Sequence, residues 1–303
     1  MIDPDDFTRP GTRRIRALAA AAQAPLVIGA GWDGHVHVWN VADRSLVTDF
    51  PTSTDSGGVS VALTPDARAC FVGTYYAWGV ACVDVLTRET RWRRTDLRKV
   101  YGIGLSADAA EAVCWFDGRA GLRLDVHTGD TRARIVGLQM FATSRIDAAE
   151  MHCRKQVELV TQGQVRQKWA RASFALLACA FSPALCVVAE SKAAARAYDL
   201  TSGGLAWVYE SRAGAHVLAI EFCPSLNRFV AVEYAYSQAA RDTGPMVALL
   251  HLDLSGAVVF QQPIREWSEA VVFAADGTLL LNGLGEVYET ATASVVHEFA
   301  FPR

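Results

Sequence analysis

A short pattern that recurs about every 42 residues constrains the fold of this chain more than any other feature. In each copy an apolar strand is followed by Thr, Ser, Cys or Ala, usually by Pro or Ala, and then by a turn. The turns centre on seven positions, separated by 42, 42, 39, 37, 41 and 51 residues: Gln23, Pro65, Ala107, Ile146, Pro183, Pro224 and Ala275. A period near 42 residues is the length of one four-stranded propeller blade.

A second pattern lies at a fixed distance after the first. An alternating strand ends in an acid or Asn and is followed by a small turn and another strand, as in VACVDVLTRETRW and ARAYDLTSGGLAW. Six units place this residue equivalently: Asn40, Asp84, Asp125, Asp199, Asp253 and Glu289. Short polar side chains bond the local backbone in tight turns, and glycine accepts a positive φ there. Each unit therefore predicts four strands, which we name a, b, c and d in chain order.

Together the two patterns predict an all-β fold, a seven-bladed β-propeller of four-stranded antiparallel blades. Blades that stack radially need no core of their own. We place a single propeller domain at residues 13–303 and an N-terminal arm at residues 1–12. Two alternatives remain: a pair of β-sandwiches, which does not require a constant period, and a six-bladed ring with the polar, Arg-rich segment 138–173 as an insertion. We favour reading that segment as a degenerate fourth blade, with Trp169 on its outer strand.

The segment WDGHVHVWNVADRSLV, from Trp32 to Val47, resembles the strand b to strand d portion of a WD40 repeat. In this comparison Asp33 and Gly34 occupy the b–c turn and Trp39 lies on strand c. The resemblance implies a propeller.

Two further units resemble the docking repeats of quinoproteins. Asp84 is followed eight residues later by Trp92, and Asp199 is followed eight residues later by Trp207. The resemblance implies that both tryptophans pack between neighbouring blades. The vicinal cysteines of quinoprotein dehydrogenases do not occur in this sequence, so we predict no quinone and no other cofactor.

Charge and composition limit the partners. Lys and Arg total 29 against 32 for Asp and Glu, a net charge of −3 that gives no overall attraction to nucleic acid or acidic membranes. The 51% hydrophobic content suffices for a large core and excludes disorder. Seven scattered cysteines without a CxxC motif indicate neither a disulfide framework nor a zinc site. We expect a cytoplasmic, bacterial protein with buried, reduced cysteines, although TRRIRALAAAAQAPLVIGAG mimics an export signal.

The connections of a propeller divide between its two faces. The a–b and c–d turns share one face and are uniformly short here, whereas the b–c and d–a connections carry aromatic and arginine residues, which dominate interface energetics. We predict binding at the b–c/d–a face through these residues: Trp32, Tyr76, Trp78, Arg98, Tyr101, Arg119, Arg241, Asp242, Arg265 and Trp267. Arg241 and Asp242 belong to a long insertion, Ser237 to Pro245, for which neutral drift is the alternative explanation.

Motifs for catalysis are lacking in the sequence. GxSxG, HExxH, Walker and dinucleotide-binding patterns do not occur. His35 and His37 share one side of a strand, but no third metal ligand can be placed. We therefore predict no catalytic residue and no metal ligand.

The sequence favours a non-catalytic scaffold that binds another protein, and a stand-alone inhibitor or immunity-type partner is the narrow version. We expect a monomer that binds neither nucleic acid nor a membrane. The alternative is a propeller enzyme or small-molecule binder, similar to lactonases and hydrolases, that uses the central channel. The predicted inner strands are nearly all apolar apart from Glu221, which argues against a channel site.

Overall fold

The computed structural model describes residues 15–31, 34–51, 58–74, 79–97, 99–116, 120–143, 149–170, 176–190, 194–264, 270–274 and 277–299. These residues form 28 strands and one short helix. The strands make seven four-stranded antiparallel sheets, and each sheet consists of four strands that are consecutive in the chain. The prediction of an all-β, seven-bladed propeller is thereby confirmed.

Blades 1 to 4 cover the first half of the chain. Blade 1 contains β1 (Ile15–Ala20), β2 (Leu26–Gly31), β3 (His35–Asn40) and β4 (Ser45–Pro51). Blade 2 contains β5 (Gly58–Leu63), β6 (Ala69–Thr74), β7 (Val80–Asp84) and β8 (Thr90–Arg94). Blade 3 contains β9 (Val100–Leu105), β10 (Glu111–Phe116), β11 (Ala120–Asp125) and β12 (Thr131–Val136). Blade 4 contains β13 (Met140–Thr143), β14 (Ala149–Cys153), β15 (Gln156–Thr161) and β16 (Gln164–Ala170).

Blades 5 to 7 complete the ring. Blade 5 contains β17 (Leu176–Phe181), β18 (Leu185–Glu190), β19 (Ala194–Asp199) and β20 (Leu205–Glu210). Blade 6 contains β21 (Ala215–Cys223), β22 (Arg228–Ala235), β23 (Val247–Leu252) and β24 (Val258–Pro263), with helix α1 (Gln238–Asp242) between β22 and β23. Blade 7 contains β25 (Val271–Ala274), β26 (Leu279–Asn282), β27 (Glu286–Glu289) and β28 (Ser294–Glu298).

The ring closes by packing of the last blade against the first. Strands a of blades 7, 1, 2, 3 and 4 contact one another in succession, as do those of blades 5, 6 and 7, so they surround the central axis. A buried cluster joins Ile15 and Trp39 of blade 1 to Leu281 and Val287 of blade 7. The backbone N–H of Ile15 also donates to the carbonyl of Gly283 at 3.3 Å. Closure therefore depends on burial between the two terminal blades.

The segment 138–173 contains a complete fourth blade. Strands β13 to β16 pair in sequence order, and Trp169 lies on the outer strand β16, as predicted. The six-bladed alternative, with this segment as an insertion, is wrong.

The acidic and Asn residues of the second sequence pattern hydrogen-bond to the local backbone of the c–d turns, as predicted. Asp84 Oδ1 accepts hydrogen bonds from the backbone N–H groups of Leu86 and Thr87, both at 3.0 Å. Asp199 makes the equivalent bonds in blade 5. Asn40 makes them in blade 1 through its neutral amide oxygen. These side chains fix the c–d turns.

Trp92 and Trp207 join neighbouring blades, which confirms their predicted role. Trp92 Nε1 donates to the carbonyl of Val126 at 2.8 Å, and Trp207 Nε1 donates to the carbonyl of Leu254 at 3.0 Å. Gly256 lies against the Trp207 indole with φ of 85°, and a Cβ there would come within 2.6 Å of the ring. The glycine of the c–d turn is therefore required both by the turn and by the tryptophan of the preceding blade.

Blade 4 reaches the same contact with a two-residue shift. Gln167 takes the place of the tryptophan and donates to the carbonyl of Leu200 at 3.1 Å. Trp169 donates to the carbonyl of Gly203, four residues after the turn aspartate, at 2.8 Å. The shift arises because the c–d turn of blade 4 is two residues shorter, so Gln167 pairs with strand c where Trp92 and Trp207 pair in their blades.

Several further predictions can be compared with the described residues. Five of the turn centres lie between strands a and b, whereas Ile146, Ala275 and the arm at residues 1–12 lie outside the described residues. Ile15–Ala20 is a blade strand, as expected. All seven cysteines are free, and six of them are buried. Helix α1 is far too short to cross a membrane, and no other helix occurs in the part of the chain that the structure describes.

We expect Trp207→Ala to lower the free energy of unfolding by about 3 kcal/mol, because the substitution removes a large packed side chain. Val208, next to it on β20 and 40% exposed, provides the control, and Val208→Ala should have little effect. Thermal and urea unfolding measure the stability of both variants. An unchanged midpoint for Trp207→Ala would contradict a role in joining the blades.

The stability of the blade 2 turn should depend on acid pH. The hydrogen bond from Arg91, followed by that from the Thr87 amide, lowers the pKa of Asp84 to about 2. The folded pKa lies below the unfolded value of about 3.9, so the stabilisation is complete above pH about 4 and is lost towards pH 2. Asp84→Asn keeps the turn, as Asn40 does, but lacks the ion pair.

The melting temperature of wild type and Asp84→Asn should therefore differ at pH 7 and converge between pH 4 and 2. Glu89→Gln, at an exposed position of the same turn, should leave the wild-type pH dependence unchanged. A difference between wild type and Asp84→Asn that stays constant down to pH 2 would show that the ion pair contributes nothing.

Candidate functional site

Most of the predicted binding residues lie outside the described residues: Trp32, Tyr76, Trp78, Arg98, Arg119, Arg265 and Trp267. Tyr101, Arg241 and Asp242 are described. Tyr101 lies on β9 of blade 3 and is 51% exposed. Arg241 and Asp242 are exposed residues of helix α1 in blade 6. Of the predicted binding residues, these three are the ones whose positions the structure describes.

A β-bulge recurs on strand a of five blades, close to the b–c/d–a face. The extra residues follow the period of the repeat: Arg16, Val59, Tyr101, Leu177 and Leu218. A bulge increases the local twist and redirects a side chain. The exposure of Tyr101 on an inner strand follows from this bulge. The sequence pattern does not predict these bulges. One extra residue shifts the alternation of apolar and polar positions, and a strand of this length is too short to show the shift.

The long insertion of blade 6 contains a helix where the sequence predicted a loop. Helix α1 begins after Ser237, whose hydroxyl accepts a hydrogen bond from the Ala240 N–H at 3.2 Å. Ala240 is fully buried against Ala215 and Ala235 of the blade. The insertion is therefore a folded element that packs on the end of blade 6.

Arg212, in the connection between blades 5 and 6, attaches this insertion to the propeller. Its Nε lies 2.8 Å from Oε2 of Glu233, which is 1% exposed. Its Nη1 donates to the carbonyl of Ala240 at 3.0 Å, and its Nη2 donates to the carbonyl of Pro245 at 2.8 Å. The Tyr209 hydroxyl donates to Glu233 Oε1 at 2.9 Å. Arg212 thus holds the insertion at Ala240, within α1, and at Pro245, while Glu233 holds Arg212.

Sequence reasoning did not find Arg212 or Glu233. The available signal was a carboxylate in the otherwise apolar strand b sequence RFVAVEYA. A buried carboxylate requires a charged partner, but its position in the chain does not identify that partner.

Aromatic side chains lie beside the insertion at the same end of blade 6. The rings of His216 and Tyr236 stack with centroids 5.0 Å apart, and Tyr234 lies on the other strand of the same pair, 5.9 Å from His216. Burial lowers the pKa of His216, so its ring is neutral at pH 7. Tyr236 is 47% exposed. The structure therefore brings an exposed aromatic ring next to the exposed charges of α1.

The opposite face has more relief than its short turns suggest. A cleft of about 470 Å³ lies among the turns of blades 1 to 3, and another of about 540 Å³ lies between blades 3 and 4. The a–b and c–d turns are short, as predicted. The short turns nevertheless leave grooves between the blades, which supply the relief of this face.

The second cleft is lined by an ionic cluster that joins blade 3 to blade 4. Arg123 Nη1 donates to Glu111 Oε2 at 2.7 Å and to Glu150 Oε1 at 3.2 Å, and its Nη2 donates to Glu150 Oε2. His152 Nε2 lies 3.0 Å from Glu150 Oε2. Burial opposes ionisation of Glu150, but the bonds from His152 and Arg123 outweigh it and lower the pKa of Glu150. The polar sequence of blade 4 supplies half of this cluster.

The described residues contain no group of three or more His, Cys, Asp or Glu side chains that could hold a metal ion. His35 lies 3.3 Å from Asp49, and the His37 ring stacks on Trp39. The central-channel alternative is not favoured either, because strands a of blades 1, 3 and 6 read IRALAA, VYGIGL and AHVLAIEFC, with Glu221 as their single carboxylate.

No protein-family profile matches the chain, and no curated protein is significantly similar to it. A functional conclusion therefore depends on the geometry of the propeller and its two faces.

We expect Arg212→Ala to lower the free energy of unfolding by about 3 kcal/mol, because it leaves Glu233 buried without its charged partner. Amide exchange of residues 237–245 should become much faster, since two of their carbonyl contacts are lost. Arg241→Ala removes an exposed guanidinium whose Nε makes one long hydrogen bond, 3.4 Å to the carbonyl of Ala235, and it should change both much less. Mass-spectrometric hydrogen exchange and thermal unfolding test both variants, and unchanged protection in Arg212→Ala would refute the anchoring role.

Proposed function

We propose that this chain is a non-catalytic scaffold that binds another protein through the b–c/d–a face of the propeller. One observation carries the proposal, namely the blade 6 insertion that the Arg212–Glu233 ion pair holds on that face. The insertion contributes no strand to the sheet of blade 6, yet it is fixed by a buried charge and by two bonds to backbone carbonyls.

The energetics of this anchor argue against neutral drift. Removing a carboxylate and a guanidinium from water is expensive, and only good geometry compensates for it. A loop that had lengthened by drift would need no such anchor. A loop already ordered before binding loses less conformational entropy in a complex, which is the advantage of preorganisation.

The side chains on this face suit a protein surface. Tyr236 offers an exposed aromatic ring beside Arg241 and Asp242, and Tyr101 offers another on blade 3. Aromatic rings and guanidinium groups are the side chains most often found at interface hot spots. The proposal includes Trp78, Arg119 and Trp267 as further contacts from other b–c and d–a connections.

We also propose an origin of the chain among WD40-like or quinoprotein-like repeats. Support comes from the indole N–H of Trp92 and Trp207, which each donate to the c–d turn of the following blade. The narrow version of the function is a cytoplasmic inhibitor or immunity-type protein, monomeric by itself, that covers the active site of its partner.

Site-specific photo-crosslinking tests which face binds. A benzophenone amino acid replaces Tyr236 in one variant and Leu86 in another, and Leu86 is 75% exposed in a c–d turn of the opposite face. In the native host, irradiation should attach one defined protein to position 236 and not to position 86. A defined product from position 86 alone would place binding on the other face.

Alanine substitutions then measure the contribution of each contact to binding of the captured protein. At least one of Trp78→Ala, Arg119→Ala, Arg241→Ala and Trp267→Ala should weaken binding by about 2 kcal/mol or more without changing the melting temperature. Arg68→Ala, at an exposed site of an a–b turn, is the matched control and should bind normally. Normal binding by all four variants, with loss in Arg68→Ala or Arg228→Ala, would refute the proposal.

A further inference from the structure

The cleft between blades 3 and 4 has the size and the polarity of a ligand site. Its volume of about 540 Å³ lies within the usual range for small-molecule sites, about 300–1,000 Å³. It opens at the a–b/c–d face, opposite to the proposed protein-binding face. Its lining includes Asp108, Glu111, Glu150, Arg123 and His152.

The charges on this lining do not balance. Three carboxylates face one guanidinium, and Arg123 is already shared between Glu111 and Glu150. Hydrogen bonds from the Ser106 hydroxyl and the Ala110 N–H lower the pKa of Asp108, so it is ionised at neutral pH. The lining therefore carries a net negative charge.

A buried side chain of the lining, His152, has an incomplete set of hydrogen bonds. His152 is 5% exposed and lines the cleft. Its Nε2 lies 3.0 Å from a Glu150 oxygen and 3.4 Å from Nη2 of Arg123. Its Nδ1 has no hydrogen-bond partner among the described residues, so the buried ring leaves one polar atom unsatisfied beside the cleft.

The lining carries more negative than positive charge, and its carboxylates accept hydrogen bonds. A cation with N–H donors complements such a lining. The described residues of the cleft provide no set of ligands that could hold a metal ion. A guanidinium group has five N–H donors in one plane and matches carboxylates in pairs, and an alkylammonium group has three. We propose that the cleft between blades 3 and 4 binds a guanidinium or alkylammonium group.

Titration with small probes at low ionic strength tests the proposal and separates two sources of the cation. Agmatine represents a free amine, N-acetyl-arginine amide represents a side chain of a peptide, and N-acetyl-citrulline amide is the neutral control. We expect saturable binding of at least one cationic probe by calorimetry, and binding about tenfold or more weaker for the neutral control. Chemical-shift changes should be confined to the cleft.

Two substitutions in the lining and one control locate the binding. Glu111→Gln and Asp108→Asn should each weaken binding of the cationic probe about tenfold. Glu89→Gln removes an exposed carboxylate that does not line the cleft and should leave binding unchanged. Glu111→Gln could lower the melting temperature, because Arg123 loses a partner. In that case the result for Asp108→Asn decides whether the cleft binds the cation, since the Asn side-chain oxygen still accepts the hydrogen bond from the Ser106 hydroxyl.

Three results would overturn the proposal: absence of binding by both cationic probes, equal binding of the neutral control, or undiminished binding by the folded lining variants. None of these measurements involves the protein partner. Failure here would therefore leave the proposed protein-binding function unaffected, and the reverse also holds.

Discussion

Burial of both faces of every blade by its neighbours is the constraint on which the structure depends. A single four-stranded sheet of this sequence has apolar side chains on two faces, and only an adjacent blade can cover each of them. Successive clusters of buried residues join the blades around the ring, and the cluster around Ile15, Trp39, Leu281 and Val287 completes it. Among the described residues each sheet is one continuous stretch of chain, so this apolar contact, and not a strand shared by the two terminal blades, closes the ring there.

The joint between blades 3 and 4 meets the same constraint with different chemistry. Its apolar cluster is small, consisting of Val113, Ile135, Leu138 and Phe141. Beside it the Arg123, Glu111, Glu150 and His152 cluster supplies charged contacts in place of packing. Paired charges need hydrogen bonds that are correctly directed, and they leave a cleft that apolar side chains would have filled. The poor hydrophobic alternation of residues 138–173 and the presence of the cleft thus have one cause.

The two faces of the propeller differ in the kind of partner or ligand that their shape suits. On the b–c/d–a face, recognition groups lie on an insertion and on bulged strand ends that the rigid blades hold in place. On the a–b/c–d face, the turns are too short to project far, so the relief comes from the grooves between blades. The first arrangement suits a broad protein surface, whereas the second suits a single charged group.

The sequence by itself determined the number of blades, the strand order, the turn residues such as Asp84, and the joining role of Trp92 and Trp207. These features depend on local turn chemistry and on the same contact between adjacent repeats, so they recur with the period of the chain. Of the predicted binding residues, Tyr101, Arg241 and Asp242 are on the surface as expected, and the others lie outside the described residues. Only the tertiary structure decided the Arg212–Glu233 anchor and the Arg123–Glu150 contact, whose members are 21 and 27 residues apart in the chain. The first pair joins a connection to strand b of blade 6, the second joins blade 3 to blade 4, and each occurs once, so no repeated pattern in the sequence could indicate which charges would meet.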